Sequence, residues 1–368
     1  MTALRPRLTY LALETPLKGQ AAATHIEEII AALEALGWTV TRQFATRTGN
    51  STSSSFAVRL LDYVRVQTRT VMAFPGTDVL FVRGHPMAMP AAKLARWCGI
   101  KVVHEINGRT DDIGVTYPGM ARFMGLIGWL QRTQLQSAGH IFAVTDGLAS
   151  YVRKQAGHDR VSIVPNGANM TLFSPVGEAH SEPEPYAVFV GSLAAWHGIG
   201  TLLGATRSPA WPVGVRLVLI GDGLARNEIA TAARDCGNGR IVWLGLKPYA
   251  EIPYYLRGAI AALVPITNPA NRSLSGVAPL KLFEAMACGV PVIATDLPFQ
   301  AELVKRAQCG MIVPAGDADA LAHAVAMIAC DRGSAAAMGT RGRAAAEGES
   351  WAIRAAGIDA TLRRLIGN

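Results

Sequence analysis

The sequence predicts an α/β protein built as two doubly wound domains, each a parallel sheet covered on both faces. Two observations carry this. Strand-like apolar runs alternate with helix-like segments through both halves of the chain. Between the halves, residues 174–185 are polar, Pro-rich and without apolar period, the composition of a domain boundary. The expected division is residues 1–175, residues 186–350 and a terminal helix within 351–368.

In the first half, residues 8–13 open as a strand, and a loop leads to a helix from about 22 to 36. Val40 belongs to a second strand, 56–71 to a helix and 79–82 to a third strand. Residues 91–98 are helical, 101–106 form a strand running into Asn107-Gly108, and a long helical pattern covers about 119–136. Runs at 141–144 and 162–164 complete the first sheet. In the second half, strands at 186–190, 215–220 and 241–244 end at Gly191, Gly221 and Gly245, and 260–264 is a fourth. Strands at 291–294 and 310–313 extend that sheet, followed by helices at 318–330, 335–346 and about 352–366.

Half of the 368 residues are hydrophobic and only 17% are charged, which excludes a disordered chain. The five cysteines show no CxxC spacing and read as free thiols of a reducing compartment. No apolar run approaches the roughly 18 residues of a spanning helix, and the opening MTALRPRLTYLAL leads into a strand-like pattern instead of a leader. A cytoplasmic protein, soluble or peripheral at the inner membrane face, is expected. Net charge is +8, with 18 Lys/Arg against 11 Asp/Glu through Pro175 (+7) and 17 against 16 afterwards (+1). No basic run interleaves with stacking aromatics, so nucleic acid is not expected as a partner. An anionic membrane surface fits the basic half better. Residues 123–132, FMGLIGWLQR, read either as one side of a core helix or as a segment dipping among lipid headgroups.

The most informative stretch is Ser275 to Thr295, SGVAPLKLFEAMACGVPVIAT. Pro279 suits a helix start, Leu280, Phe283 and Met286 give an apolar face, and Gly289 marks the stop. Lys281 and Glu284 stand three apart on that helix and project to neighbouring positions at its beginning. A helix N-terminus with a lysine beside it favours a phosphate, and a carboxylate one turn on accepts hydrogen bonds from sugar hydroxyls. The competing reading is a surface ion pair.

Other strand ends add candidates. Gly191 permits close backbone approach, and Ser192 and His197 are possible donors to a diphosphate, His197 being equally a helix-start residue packed on Trp196. Gly221-Asp222-Gly223 invites a dinucleotide reading, but the third glycine is replaced by Arg226. Lys18-Gly19-Gln20 precedes a helix where backbone N–H groups can face an anion, with Thr24 and His25 one turn on. His104 and Glu105 end the fourth strand on opposite faces, so one of them is a candidate for the site. Asp111-Asp112 and Asp317-Ala318-Asp319 are the only carboxylate pairs to consider for a metal, and Asp317 reads as a helix cap. No catalytic metal and no cofactor is expected.

The wording PLKLFEAMACGVPVIAT resembles the donor-nucleotide motif of the family 4 glycosyltransferases, in which two glutamates with seven residues between them lead into it. Glu284 matches the second glutamate, and the first would fall at Gly276, so it is absent. LVLIGDG, around Gly221, is similar to the second strand and turn of the same donor domain. The resemblance covers most of the second half and parts of the first. It implies a GT-B fold, two Rossmann-like domains facing across a cleft, the first binding acceptor and the second binding donor, with the terminal helix crossing back. It implies a retaining transfer of a hexose from a nucleoside diphosphate sugar, UDP in the first place, to a saccharide or lipid-linked saccharide in polysaccharide synthesis. By the same resemblance Lys281 and the Gly19–Gln20 loop hold the diphosphate, Pro279 and Leu280 open the binding helix, and Glu284 anchors the ribose. Leu246 and Lys247, after Gly245, hold the base edge, and His104 or Glu105 lies beside the donor sugar. A non-catalytic relative and a nicotinamide-dependent oxidoreductase are the alternatives.

Overall fold

The structure, a computed structural model, describes residues 5–16, 19–45, 56–111, 113, 118–237, 239–267 and 275–367. Two compact units emerge, the first from residues 1–17, 25–165 and 354–368, the second from 18–24 and 166–353.

The first unit alternates β1 (Arg7–Ala12), α1 (Ala21–Ala35), β2 (Thr39–Phe44), α2 (Phe56–Met72), β3 (Val79–Arg83) and α3 (Met89–Trp97). It continues through β4 (Lys101–Ile106), α4 (Met124–Ser137), β5 (His140–Ala143), α5 (Asp146–Ala156) and β6 (Val161–Ile163). Its six strands run parallel in the order β2-β1-β3-β4-β5-β6. Both faces are covered, so β3 reads as an uninterrupted buried Val79-Leu80-Phe81-Val82 instead of alternating.

The second unit holds β7 (Tyr186–Val190), α6 (Ile199–Arg207), β8 (Arg216–Ile220), α7 (Arg226–Asp235), β9 (Ile241–Trp243), α8 (Ile252–Gly258) and β10 (Ala261–Val264). There follow α9 (Leu280–Ala287), β11 (Val292–Thr295), α10 (Gln300–Ala307), β12 (Gly310–Val313), α11 (Ala318–Cys330), α12 (Arg332–Glu347) and α13 (Trp351–Gly367). The parallel order is β12-β11-β10-β7-β8-β9. The chain steps outward from β7 to β9, then returns to the other side of β7 with β10, and a crevice opens where the order reverses. Successive side chains divide between two cores. Tyr186 and Val188 join Phe283, Met286 and Val292 on one face, while Ala187 and Phe189 join Leu217, Leu263 and Leu321 on the other.

The expected boundary at residue 175 falls instead at 165. Residues 174–185 look like a linker in composition, but their polar groups have partners in the second unit. Arg257 donates to the carbonyls of Ser174 and Glu178, and Arg216 pairs with Glu182 and Glu184 at 3.3 and 3.2 Å. Just upstream, Phe173 is fully buried. Helix α13 passes from the second unit to the first at residues 353–354. Ile358 and Leu362 are buried there, Trp38 Nε1 donates to Asp359 at 2.6 Å, and Arg363 caps the Leu36 carbonyl at 2.9 Å. Among the described residues no helix is long and apolar enough to cross a membrane.

Candidate functional site

The crevice beside β7 is walled by three glycine-bearing strand ends. Gly191 N donates to Ile220 O at 2.9 Å, Leu193 N to Asp222 O at 3.0 Å, and Gly221 N to Gly245 O at 2.8 Å. The loops after β7, β8 and β9 are therefore laced together by their own backbones. Gly221 has φ +139°, and a Cβ there would lie 1.9 Å from the Gly191 carbonyl oxygen. Gly221→Ala is expected to cost about 3 kcal/mol of unfolding free energy through strain and overpacking. A denaturation midpoint equal to that of the parent chain would show that the two loops are not held this closely.

Helix α9 begins on the other side of the crevice. Pro279 is its N-cap, in extended backbone and making no side-chain cap, while its carbonyl accepts from Leu282 N at 3.1 Å. Gly289, at φ +70°, ends the helix region where the sequence placed the stop. Leu280 is buried and fixes the first turn. Lys281 reaches back toward β7. Its Nζ lies 3.7 Å from the Phe189 ring centroid, is enclosed, and has no hydrogen-bond partner among the described residues. The Gly191 backbone passes so close that a Cβ there would be 2.9 Å from the same Nζ. Burial pushes the ammonium down from 10.5 to about 7, against the pull of the Glu284 carboxylate. Glu284, one turn on, is buried and shares with Lys281 the wall of a cavity of about 10 Å³, the space of one water.

The remaining second-unit candidates fall in two groups. Gly191, Ser192 and His197 belong to the β7 loop: His197 Nδ1 donates to the Ser192 carbonyl at 2.6 Å, and its ring lies 3.6 Å from that of Trp196. With Nδ1 spent this way, Nε2 of the neutral ring is an acceptor, and only the protonated ring donates to an anion. Leu246 is exposed after Gly245, and Gly19, which groups with this unit, lies against it: a Cβ on Gly19 would meet Leu246 Cδ1 at 3.1 Å. Gln20 starts α1, its carbonyl accepting from Ala23 and Thr24. Lys247 is partly exposed and its Nζ lies 5.9 Å from the Tyr255 ring centroid. Lys18 and Asp112 lie outside the described residues.

In the first unit His104 and Glu105 are both buried, 1% and 3% exposed. Both Glu105 oxygens are engaged: Oε1 with His25, Oε2 with the Tyr10 hydroxyl at 2.8 Å and Arg83 Nη1 at 3.1 Å. Burial alone would raise its pKa, but the His25 ring, Arg83 and Tyr10 overcome this and hold it at about 2. Glu105 is thus a permanent anion that organises its neighbours, and His25 is turned inward with it. Burial lowers His104 to about 4, so its enclosed ring stays neutral, with no partner for Nδ1 among the described residues. Asp317 is the cap the sequence indicated, accepting from Ala320 N at 2.8 Å, and among the described residues no cluster of three metal-ligating side chains occurs.

Sequence reasoning missed two contributors. Phe189 was visible only as a strand residue, although its position two before Gly191 puts it beneath the loop. Phe299, before α10, takes φ +70°, a conformation seldom adopted by a residue with a side chain, and packs against Phe283. Gly276 lies beside it at φ +71°, with space for a Cβ only 3.0 Å from Pro298 O. The missing glutamate therefore coincides with a backbone that favours glycine.

Comparison with known proteins gives a concordant result for both halves. Residues 20–167 match the model of the glycosyl transferase 4-like domain, and residues 173–345 match that of the glycosyl transferases group 1. A GDP-mannose-dependent α-(1-6)-phosphatidylinositol monomannoside mannosyltransferase of Mycobacterium tuberculosis is 28% identical over 237 residues, 59% of this chain and 61% of that protein. The amylovoran biosynthesis glycosyltransferase AmsK of Erwinia amylovora is 34% identical over 135 residues, 36% of this chain and 33% of the relative. The matched region thus spans 61% or less of the length of these curated relatives. Among solved structures, sucrose-phosphate synthase of Thermosynechococcus elongatus aligns with TM-score 0.81 at 20% identity, covering 99% of this chain and 100% of that one. Anabaena Alr3699/HepE in complex with UDP and glucose aligns with TM-score 0.72 at 16% identity, covering 98% and 99%. At such identities the structures bear on the fold alone, and that fold is GT-B. Matched in sequence through both halves and in architecture through both sheets, the chain belongs to the group 1 glycosyltransferases of the family 4 type.

Proposed function

We propose that the chain is a retaining hexosyltransferase that takes its sugar from a nucleoside diphosphate sugar, UDP in the first place, and passes it to a hydroxyl of a saccharide acceptor carried on a lipid. The observation that carries the donor site is Lys281: a buried ammonium without a hydrogen-bond partner among the described residues, at the crevice of the second sheet and beside the start of α9, whose N-cap Pro279 makes no side-chain cap. A diphosphate supplies what that group lacks. Charge developing on the leaving phosphate is stabilised by Lys281 and the helix start, with no need for a metal or cofactor. Glu284 accepts from the ribose hydroxyls, and the loops at Gly191–Ser192 and Leu246–Lys247 hold the phosphates and base. Retention follows if the acceptor oxygen attacks the face that the diphosphate leaves: the new C–O bond forms as the old one breaks, and the acceptor proton passes to a phosphate oxygen. No protein nucleophile is then required. The first unit serves the acceptor, and Glu105 has no part in the chemistry.

The base is open to direct test, since the mannosyltransferase relative is named for GDP-mannose and the HepE crystals hold UDP. Thermal shift with UDP, GDP and their sugars, followed by product analysis with the stabilising donor, is expected to single out UDP and an α-linked product from an α-linked donor. Stabilisation by GDP alone would overturn the choice of base. Stabilisation without transfer or hydrolysis would favour a non-catalytic relative, a reading to which the glycine at 276 gives weight. The nicotinamide alternative has no support left: the turn at Gly221 lacks its third glycine and both halves match glycosyltransferase models.

A further inference from the structure

Phe299 holds a backbone conformation that a residue with a large side chain seldom takes, φ +70° and ψ −63°. Among the described residues Gln308 is the one other non-glycine at positive φ, and it ends α10 in the ordinary left-handed region. Phe299 is held in place from several directions. Pro298 O accepts from Val277 N at 3.1 Å, Phe299 O accepts from Leu303 N at 2.8 Å, and the next residue, Gln300, is fully buried. Gln300 Nε2 donates to the Thr295 carbonyl at 2.8 Å and to Thr295 Oγ1 at 2.7 Å, and that hydroxyl donates to Ile266 O at 2.6 Å. The loop after β11 is thus pinned both to the end of β10 and to the segment that enters α9. Strain held this firmly by its surroundings clusters at positions that touch a ligand.

The side chain set by this conformation is apolar and only half buried. Its ring packs on Phe283 of α9, centroids 6.1 Å apart at 49°, and part of it stays accessible. A Cβ at Gly276 would lie 3.5 Å from Phe299 Cβ and 3.0 Å from Pro298 O. The two positions adjoin, one without a side chain and the other with a side chain that makes no hydrogen bond. Sheet order tells which part of a donor meets them. Strands β8 and β9 lie on one side of β7, and β10 and β11 on the other. With the base at Leu246–Lys247 after β9 and the diphosphate at the start of α9, the sugar leaves the far end of the diphosphate toward the ends of β10 and β11, where Phe299 stands.

We propose that Phe299 determines which sugar the donor carries, and that it selects one bearing a methyl group: the acetamido methyl of an N-acetylhexosamine or the C6 methyl of a 6-deoxyhexose. Phe299 does so within the donor site proposed above, on which this role rests. A methyl group set against the ring leaves water favourably. A hydroxyl in the same place gives up its water and gains no partner from the ring.

The test is titration calorimetry of the full chain with UDP, UDP-glucose, UDP-N-acetylglucosamine and UDP-6-deoxyglucose. One of the two methyl-bearing donors is expected to bind about tenfold more tightly than UDP-glucose, and which one it is identifies the sugar. Phe299→Gly takes the same φ without strain, and it should bind that donor and UDP-glucose within about twofold of each other. Phe299→Leu keeps an apolar side chain and should keep a preference of about fivefold. A ring that served packing alone would move the thermal midpoint in these variants but not the ratio between donors. UDP without a sugar does not reach residue 299, so its binding reports that each variant folds and holds a nucleotide. UDP-glucose bound as tightly as both methyl-bearing donors, or a preference unchanged in Phe299→Gly, would overturn the role of Phe299 and leave the donor site standing. No binding of UDP to the parent chain would overturn the donor site and this role with it.

Discussion

Lys281→Met should lower kcat/KM by about 10²-fold or more and remove nucleotide binding, yet leave the thermal midpoint unchanged or higher. The two halves of this expectation come from one fact. In the free protein the Lys281 ammonium is enclosed, stacked on Phe189 and without a hydrogen-bond partner among the described residues, so the fold gains little from it and bears its desolvation. An isosteric apolar side chain relieves that cost. In the complex the same ammonium neutralises a diphosphate in a water-poor crevice, where losing one such donor typically costs about 10²- to 10³-fold in rate. The pH dependence follows with a definite sign. The free-state value is about 7, whereas the unfolded lysine titrates near 10.5. Between these, the unfolded chain binds a proton that the folded chain does not, so this group makes the ligand-free protein more stable as pH rises through that window. Diphosphate binding requires the proton, so affinity should fall as pH rises above about 7, with proton uptake on binding. Calorimetry in buffers of different ionisation enthalpy measures that uptake. Affinity flat from neutral to alkaline pH, or a Lys281→Met protein that still binds UDP, would remove Lys281 from the site.

The legible part of this molecule is the part written in local pattern. Buried runs such as Val79–Arg83 and Ala261–Val264 announce parallel strands because both sheet faces are covered, and Pro279 and Gly289 bracket α9 by their own backbone preferences. Lys281 and Glu284 could be placed on one helix by spacing alone. What spacing could not supply was neighbours in space. Parity puts His104 and Glu105 on opposite faces of β4, but only the sheet order brings Tyr10 of β1 and Arg83 of β3 to the Glu105 carboxylate. Likewise the lacing of Gly191 to Ile220 and Gly221 to Gly245 depends on β7, β8 and β9 being adjacent. Composition misled at residues 174–185, whose polarity suggested solvent, while Arg216 and Arg257 in the second unit were waiting to pair with them. The exposed apolar residues of α2 were not legible, because exposure is a property of the assembled fold.

Glu105→Gln should destabilise the first unit by about 3 kcal/mol without altering the donor site's affinity for nucleotide. The carboxylate is the centre of a buried cluster: His25 on one oxygen, Tyr10 and Arg83 on the other, with Arg83 also bonded to Glu14. An amide of the same shape keeps the volume but removes the negative charge that Arg83 faces at 11% side-chain exposure, and one of its two positions is now a donor pointed at donors. For the native chain the same cluster predicts acid sensitivity. Glu105 titrates at about 2 when folded and at 4.5 when free of its partners. Its contribution is therefore complete above the unfolded value, and it is lost as pH falls through 4.5 toward about 2, since the unfolded chain takes up a proton that the folded chain refuses. The shift corresponds to about 3 kcal/mol, the scale expected for the substitution. Denaturant unfolding from pH 7 down to pH 3 checks both statements: the native midpoint should fall steeply below pH 4.5, and the Glu105→Gln protein should start lower and change less. A Glu105→Gln chain as stable as the parent but devoid of transfer activity would restore the carboxylate to catalysis and refute its structural role.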